Sequence, residues 1–191
     1  MLATADDPLS LTSITRSFVA DSITPISAYL ALAQPGRSCM LESVHGTERI
    51  SRFSFIGLDY LETFAIDRDP RMLERIRAAI GRYALDRDDL PFPGGAVCVF
   101  TYDAARALEP ALREPQRDTQ EPQGDSSMPP ADVRFGDVLV VIPGTWLVFD
   151  HFTHRVTVIG FARDEAEREV VDRRLDSYVC LLYTSDAADD L

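Results

Sequence analysis

The 191-residue chain contains no lysine: all 19 of its basic residues are arginine, a bias that fits a GC-rich coding sequence and carries no mechanism. Its three cysteines, Cys39, Cys98 and Cys180, show no metal-ligand spacing and are too few for a disulfide framework. Cys39 and Cys98 each lie in an apolar run, where a thiol packs as a small hydrophobe. Long apolar runs are missing as well. The stretch 138–142 is strand-sized, far short of the roughly 20 residues a membrane-spanning helix needs. The beginning of the chain carries Asp6, Asp7 and Arg16 and lacks the basic start and apolar block of a secretory leader, so the expected compartment is the cytoplasm.

Positive charge is also scarce. With 31 acidic against 19 basic side chains the formal charge is -12, which repels phosphate backbones and argues against nucleic acid as a partner. The 46% hydrophobic content is enough for one domain with a real core. Signatures of catalysis are absent too: there is no Gly-x-Ser-x-Gly, no phosphate-binding glycine loop and no histidine pair at helical zinc spacing. His151 and His154 fall in an expected β-turn with no third ligand nearby in sequence. Pro93-Gly94-Gly95 reads as turn chemistry before a buried strand rather than a phosphate cradle. Tyr102, Asp103 and Arg106 could be taken for an acid, a base and an anchor, but an aspartate beside an arginine on a short helix is usually a structural ion pair. No catalytic residue, metal ligand or cofactor is assigned to this chain.

What is present is an alternation of strand and helix patterns. Residues 13–20 read as a strand. Thr24-Pro25 supplies a capping hydroxyl and a proline at the first helical position, starting a short helix to about Ala33 with Ile26, Tyr29, Leu30 and Ala33 inward. Residues 39–44 and 52–57 read as two antiparallel strands around a polar turn at His45-Gly46, and 60–66 as a third strand of the meander. Asp69-Pro70 starts a second helix, with Met72, Leu73, Ile76, Ala79, Ile80 and Tyr83 at helical spacing and Arg71, Glu74, Arg75, Arg77 and Arg82 on a solvated opposite face. A strand at 96–100 and a short helix from Tyr102-Asp103 follow. Residues 109–131 turn to Pro, Gln, Asp and Ser and are expected to form a mobile, solvent-exposed loop. A strand at 137–142, a Pro143-Gly144 turn, and a hairpin of 145–149 with 155–161 complete the sheet. A charged helix, 164–178, presents Ala166, Val170, Val171 and Leu175 inward. The last twelve residues, 180–191, resemble a translated sequencing adapter and are set apart as a non-native tail, leaving 1–179 as the domain. The class is α+β: a mostly antiparallel sheet, or two packed sheets, with flanking helices.

Several of these segments carry a resemblance. Thr24-Pro25-Ile26-Ser27-Ala28-Tyr29, Leu41-Glu42-Ser43, Arg52-Phe53-Ser54-Phe55-Ile56-Gly57, Gly94-Gly95-Ala96-Val97, Tyr102-Asp103 with Arg106 and Glu109-Pro110, and Val148-Phe149-Asp150-His151 occur in one order. Together they resemble the amino-terminal domain of chorismate-utilising amino-transferring synthases, most closely the anthranilate synthase large subunit. The chain departs from that pattern at Cys98 and Thr101, where the family has glycines. The resemblance implies a parent enzyme that makes anthranilate and pyruvate from chorismate, with ammonia from a glutamine amidotransferase subunit and a magnesium ion. It also places that chemistry in a carboxy-terminal half this chain lacks, so the fragment is expected to be inactive.

The resemblance further implies a feedback site for L-tryptophan at Leu41, Glu42, Ser43, Ile50, Ser51, Arg52 and Phe53, binding weakly in a fragment. A zwitterionic amino acid needs an acceptor for its ammonium, donors for its carboxylate and an apolar slot for the indole. Glu42 or strand carbonyls suit the ammonium, Ser43 is a polar contact, and Met40 or Phe53 could line the slot. The plainer alternative makes Ser43 a strand-end hydroxyl and pairs Arg52 with Glu42 across the hairpin. Two functional alternatives stay open: the aminodeoxychorismate synthase component of the folate branch, and a non-sensing interaction module for the amidotransferase subunit.

Overall fold

A computed structural model describes residues 8–42, 52–85, 92, 94–109, 112 and 136–189. The chain runs β1 (Leu9–Val19), α1 (Pro25–Leu32), β2 (Ser38–Leu41), β3 (Phe53–Ile66), α2 (Met72–Gly81), β4 (Tyr83–Leu85), β5 (Val97–Phe100), α3 (Ala104–Leu108), β6 (Val138–Asp150), β7 (Arg155–Ala162) and α4 (Glu165–Asp189). The strands form one sheet in the order β2-β3-β6-β7-β1-β4, with β5 also on β6. Every pairing is antiparallel except β1 with β4. The α+β expectation holds, as one sheet rather than two.

β6 is the spine. Its residues 138–150 pair with β3 along one side, and with β5 and then β7 along the other. Pro143 and Gly144, expected to turn the chain, instead lie inside this strand. A bulge lets them: β3 carries one extra residue between Tyr60 and Glu62, opposite Pro143, where the missing proline N–H interrupts the ladder. Gly144 is needed there because a Cβ would come within 2.7 Å of the Asp59 carbonyl oxygen. For the same reason 60–66 is not a separate third strand but the second half of β3, with Asp59 at φ 51° beside the bulge. β4 has no counterpart among the expected strands. Tyr83, expected at the end of the second helix, is its first residue.

One face of the sheet packs against α1 and α4 through Ile56, Leu58, Leu147, Phe149, Val156 and Val158. α1 begins with a reciprocal cap, in which Ser27 N–H donates to Thr24 Oγ1 at 3.1 Å and Thr24 N–H to Ser27 Oγ at 3.0 Å. Its buried residues are Pro25, Ala28 and Leu32, whereas Ile26 and Leu30, expected inward, are exposed. The helix is apolar nearly all round, so its pattern names no face, and small Ala28 permits the closest approach. In α4 the buried stripe is Val171, Leu175, Tyr178 and Leu182, while Ala166 and Val170 lie outside. Gly160 on β7 lets this helix seat, since a Cβ there would lie 2.5 Å from Val171 Cγ1. α4 continues past Val179 into the segment set apart as a tail; Leu182 is fully buried and Tyr183 meets the Phe18 ring at 5.2 Å.

A polar knot ties α4 to the bulge. The Asp59 carboxylate accepts from Tyr178 OH at 2.8 Å and Thr145 Oγ1 at 3.0 Å, and Arg174 Nε lies 3.3 Å away as an unaligned ion contact. Burial, and then the hydrogen bond to Asp59, push the Tyr178 phenol well up.

α2 runs over Met72–Gly81, shorter than expected, and buries Met72, Ile76 and Ala79; Met72 and Ile76 pack against Ile66, Val138 and Val140, with Ala104 of α3 closing the cluster. Leu73 and Ile80 stay exposed. Asp69 accepts from the Arg71 N–H at 2.8 Å ahead of the first turn. At the two positions where the resembled family has glycines, neither Cys98 nor Thr101 has a positive φ, so the backbone there is one that these side chains adopt without strain. The Thr101 N–H donates to the Asp137 carbonyl at 2.8 Å. The loop expected at 109–131 lies outside the described residues, apart from Glu109 and Leu112.

Candidate functional site

Leu41 ends β2 and Phe53 begins β3, so the residues expected to contact a ligand sit at the adjoining ends of two paired strands. Leu41, Glu42, Arg52 and Phe53 are described; Ser43, Ile50 and Ser51 lie outside the described residues. Leu41 stands opposite Phe55 in the ladder, which puts both on one face, and Phe53 two residues along shares it. Met40 stands opposite Ile56 and packs with the helix-side core, so strand alternation removes it from the slot.

That second face of the sheet is aromatic. Phe53 and Phe55 have ring centroids 6.2 Å apart, Phe55 and Phe92 4.8 Å, and Phe92 meets Trp146 edge-on at 5.0 Å. Val148, Ile159, Phe161 and Leu11 complete the layer. The indole N–H of Trp146 is buried there without a hydrogen-bond partner among the described residues. An indole or other aryl group would find offset and edge-on ring contacts on such a surface.

At the rim of this face lies Arg52. Its Nε donates to Asp150 Oδ1 at 3.0 Å and its Nη2 to Oδ2 at 2.7 Å, a two-pronged pair. The guanidinium lies 4.8 Å from the Phe53 ring centroid and 5.7 Å from that of Phe152. The partner of Arg52 is therefore Asp150, not Glu42, because ladder register sets Phe53 opposite Asp150. The Arg52 hydrogen bonds hold the Asp150 carboxyl well below the usual carboxylate range, helped by Phe152 and Thr153, whose N–H groups donate to it at 3.1 and 3.4 Å. Asp150 in turn raises the Arg52 guanidinium.

Two of the segments singled out in the sequence thus fasten to each other. Besides Arg52 with Asp150, the His151 N–H donates to the Arg52 carbonyl at 2.9 Å, and His151 Nε2 lies 2.8 Å from the buried Ser54 Oγ. Asp150, Phe152, Phe92 and Trp146 are not among the expected site residues. Only Asp150 has a signal in the sequence, its place in Val148-Phe149-Asp150-His151, and no local spacing ties it to Arg52, 98 residues away.

Two cavities among the described residues avoid Arg52, Phe53 and Phe55, but one of about 190 Å³ is lined by Asp150 and His151 together with Ile23, Pro25 and His154. The other, of about 590 Å³, opens between Asp67, Arg68, Asp103, Arg106 and Asp137, where Arg106 Nε pairs with Asp103 at 3.5 Å and the Arg68 N–H with Asp137 at 2.8 Å. The ion-pair reading of Asp103 and Arg106 holds. Among the described residues no group of three His, Cys, Asp or Glu side chains is placed to hold a metal ion, and no helix is long and apolar enough to cross a membrane.

No family model matches the chain. Curated relatives do. The chain is 33% identical over 180 residues to "Anthranilate synthase component 1" of Thermus thermophilus, an alignment covering 84% of this chain and 35% of that protein. It is 32% identical over 177 residues to "Anthranilate synthase component 1" of Pseudomonas aeruginosa, covering 81% of this chain and 32% of the relative. The protein of the same name from Acinetobacter calcoaceticus is 28% identical, with 88% of this chain and 36% of that one covered. A crystal structure of anthranilate synthase component I from Streptococcus pneumoniae is similar at a TM-score of 0.43 and 23% identity, covering 84% of this chain and 36% of that chain. The chain spans about a third of the length of the curated relatives it matches. Over the matched four-fifths of its own length, this chain is homologous to anthranilate synthase component 1.

Proposed function

We propose that this chain is the amino-terminal, tryptophan-sensing part of an anthranilate synthase large subunit, an enzyme of tryptophan biosynthesis. The observation that carries this reading is the adjoining ends of β2 and β3, where Leu41 and Phe53 share the face bearing Phe55, exposed Arg52 stands at its rim, and exposed Glu42 follows Leu41 at the end of β2. A carboxylate, a guanidinium and an aryl surface match the three groups of a zwitterionic aromatic amino acid. The relatives named above are all anthranilate synthases, which favours this branch over the folate one.

In the whole protein, chorismate and magnesium belong to the carboxy-terminal half that the resemblance implies, and a glutamine amidotransferase subunit is the expected partner. This chain alone is expected to form no anthranilate from chorismate and ammonium. Feedback requires that tryptophan bind the less active arrangement of the enzyme better than the active one. Titration of the chain with L-tryptophan, followed by amide chemical shifts, is expected to give weak saturable changes at Leu41, Glu42, Arg52 and Phe53. Changes elsewhere only, or none at any soluble concentration, would remove the site. In the intact enzyme, Ser43→Phe is expected to relieve tryptophan inhibition and leave chorismate turnover in place.

A further inference from the structure

Resting on that reading, we propose that Asp150 is an internal competitor for Arg52: the carboxylate of an aromatic amino acid binds by taking the guanidinium from Asp150. Three features of the rim support this. First, Asp150 occupies the Nε–Nη2 edge of Arg52, one of the two edges by which a guanidinium grips both oxygens of a carboxylate, so a ligand carboxylate that takes this edge displaces it. Second, the displaced Asp150 is not left bare, since it keeps the Phe152 and Thr153 N–H groups that already donate to it. Third, Arg52 is 44% exposed, so the pair is weakened by solvent and its exchange for another carboxylate is nearly balanced.

The aryl group of the ligand has its own place beside the guanidinium. Phe53 lies on one side, and Phe152, 70% exposed on the β6–β7 turn, offers a second ring within 5.7 Å of the Arg52 guanidinium. The same exchange makes the site selective for a ligand with both an aryl group and an anion, because an aryl amine without a carboxylate has nothing to offer Arg52 in place of Asp150. The class of ligand is therefore an aromatic amino acid or arylalkanoate, and Asp150 sets its affinity by competing.

The test compares calorimetric titrations of L-tryptophan and tryptamine into the full chain, the Asp150→Asn chain and the Arg52→Gln chain, each shown to be folded by its thermal unfolding. The substituted amide retains an oxygen to cap the turn but carries no charge. L-Tryptophan is expected to bind Asp150→Asn roughly three- to fivefold tighter than the parent chain, the range of an exposed ion pair. Tryptamine is expected to bind both equally, and Arg52→Gln is expected to erase the preference for tryptophan over tryptamine. If the parent chain binds tryptophan and Asp150→Asn binds it equally or more weakly, the competitor role is wrong while the tryptophan site stands. If neither chain binds tryptophan, the sensing function falls and this proposal with it.

Discussion

Asp150 shows how one side chain can serve fold and site with opposite signs. Its carboxyl is held below the usual range first by the Arg52 hydrogen bonds and then by the turn N–H groups. Such a group binds fewer protons folded than unfolded, so its stabilisation is present above about pH 4 and is lost as the pH falls toward the folded-state value. Because Arg52 is largely solvated, Asp150→Asn is expected to reduce unfolding free energy by only about 0.5–1 kcal/mol at neutral pH. Urea unfolding of the two chains at pH 7 and at about pH 2.5, below the ordinary carboxylate range, checks this: the gap should narrow in acid, as the unfolded chain takes up its proton before the folded one does. A gap of the same size at both pH values would trace the effect to something other than the ion pair. Sequence proximity points to Glu42 as the Arg52 partner because a hairpin neighbour is the nearest candidate, whereas the strand opposite Phe53 is β6.

At the scale of elements, helix existence was legible and helix facing only in part: Met72, Ile76 and Ala79 of α2 and Val171 and Leu175 of α4 are buried as expected, while α1 is turned otherwise. Thr24-Pro25 announces α1 through its cap and proline, and the structure keeps both. Its apolar residues surround the axis, so choosing Ile26 and Leu30 as the inward face followed size, while the neighbours chose Ala28 and Leu32. In α4 the register is set by Gly160, whose missing Cβ makes room for Val171 and Leu175. Leu30→Ser is therefore expected to change stability by no more than about 0.5 kcal/mol, whereas Leu32→Ala, on the opposite side of α1, should cost about 2–5 kcal/mol by opening a cavity in the core beneath the helix. Chemical denaturation of both variants decides between the two facings. Equal losses would mean that α1 docks through its larger side chains after all.

For the whole molecule, the central position of β6 has a consequence for dynamics. Bonded to β3 on one side and to β5 and β7 on the other, its amides open only when several neighbours separate. Native-state hydrogen exchange should find the slowest amides among 138–142 and 145–149, with β2 and β4, at the ends of the strand order, exchanging faster. Slowest exchange in β2 instead would contradict that order. The sequence by itself determined the α+β class, which segments are strand and which are helix apart from β4, the hairpin at 151–154 and the resemblance the curated relatives then supported, because apolar period, caps and turn residues are local properties of the chain; it divided β3 and β6 into two strands each. Only the tertiary structure decided that Pro143-Gly144 continues a strand, that Tyr83 joins a parallel pair with β1, and that Arg52 meets Asp150 across 98 residues. A bulge on β3, a ladder register and the seating of a helix over a glycine depend on what stands opposite in space, and no window of neighbouring residues contains that information.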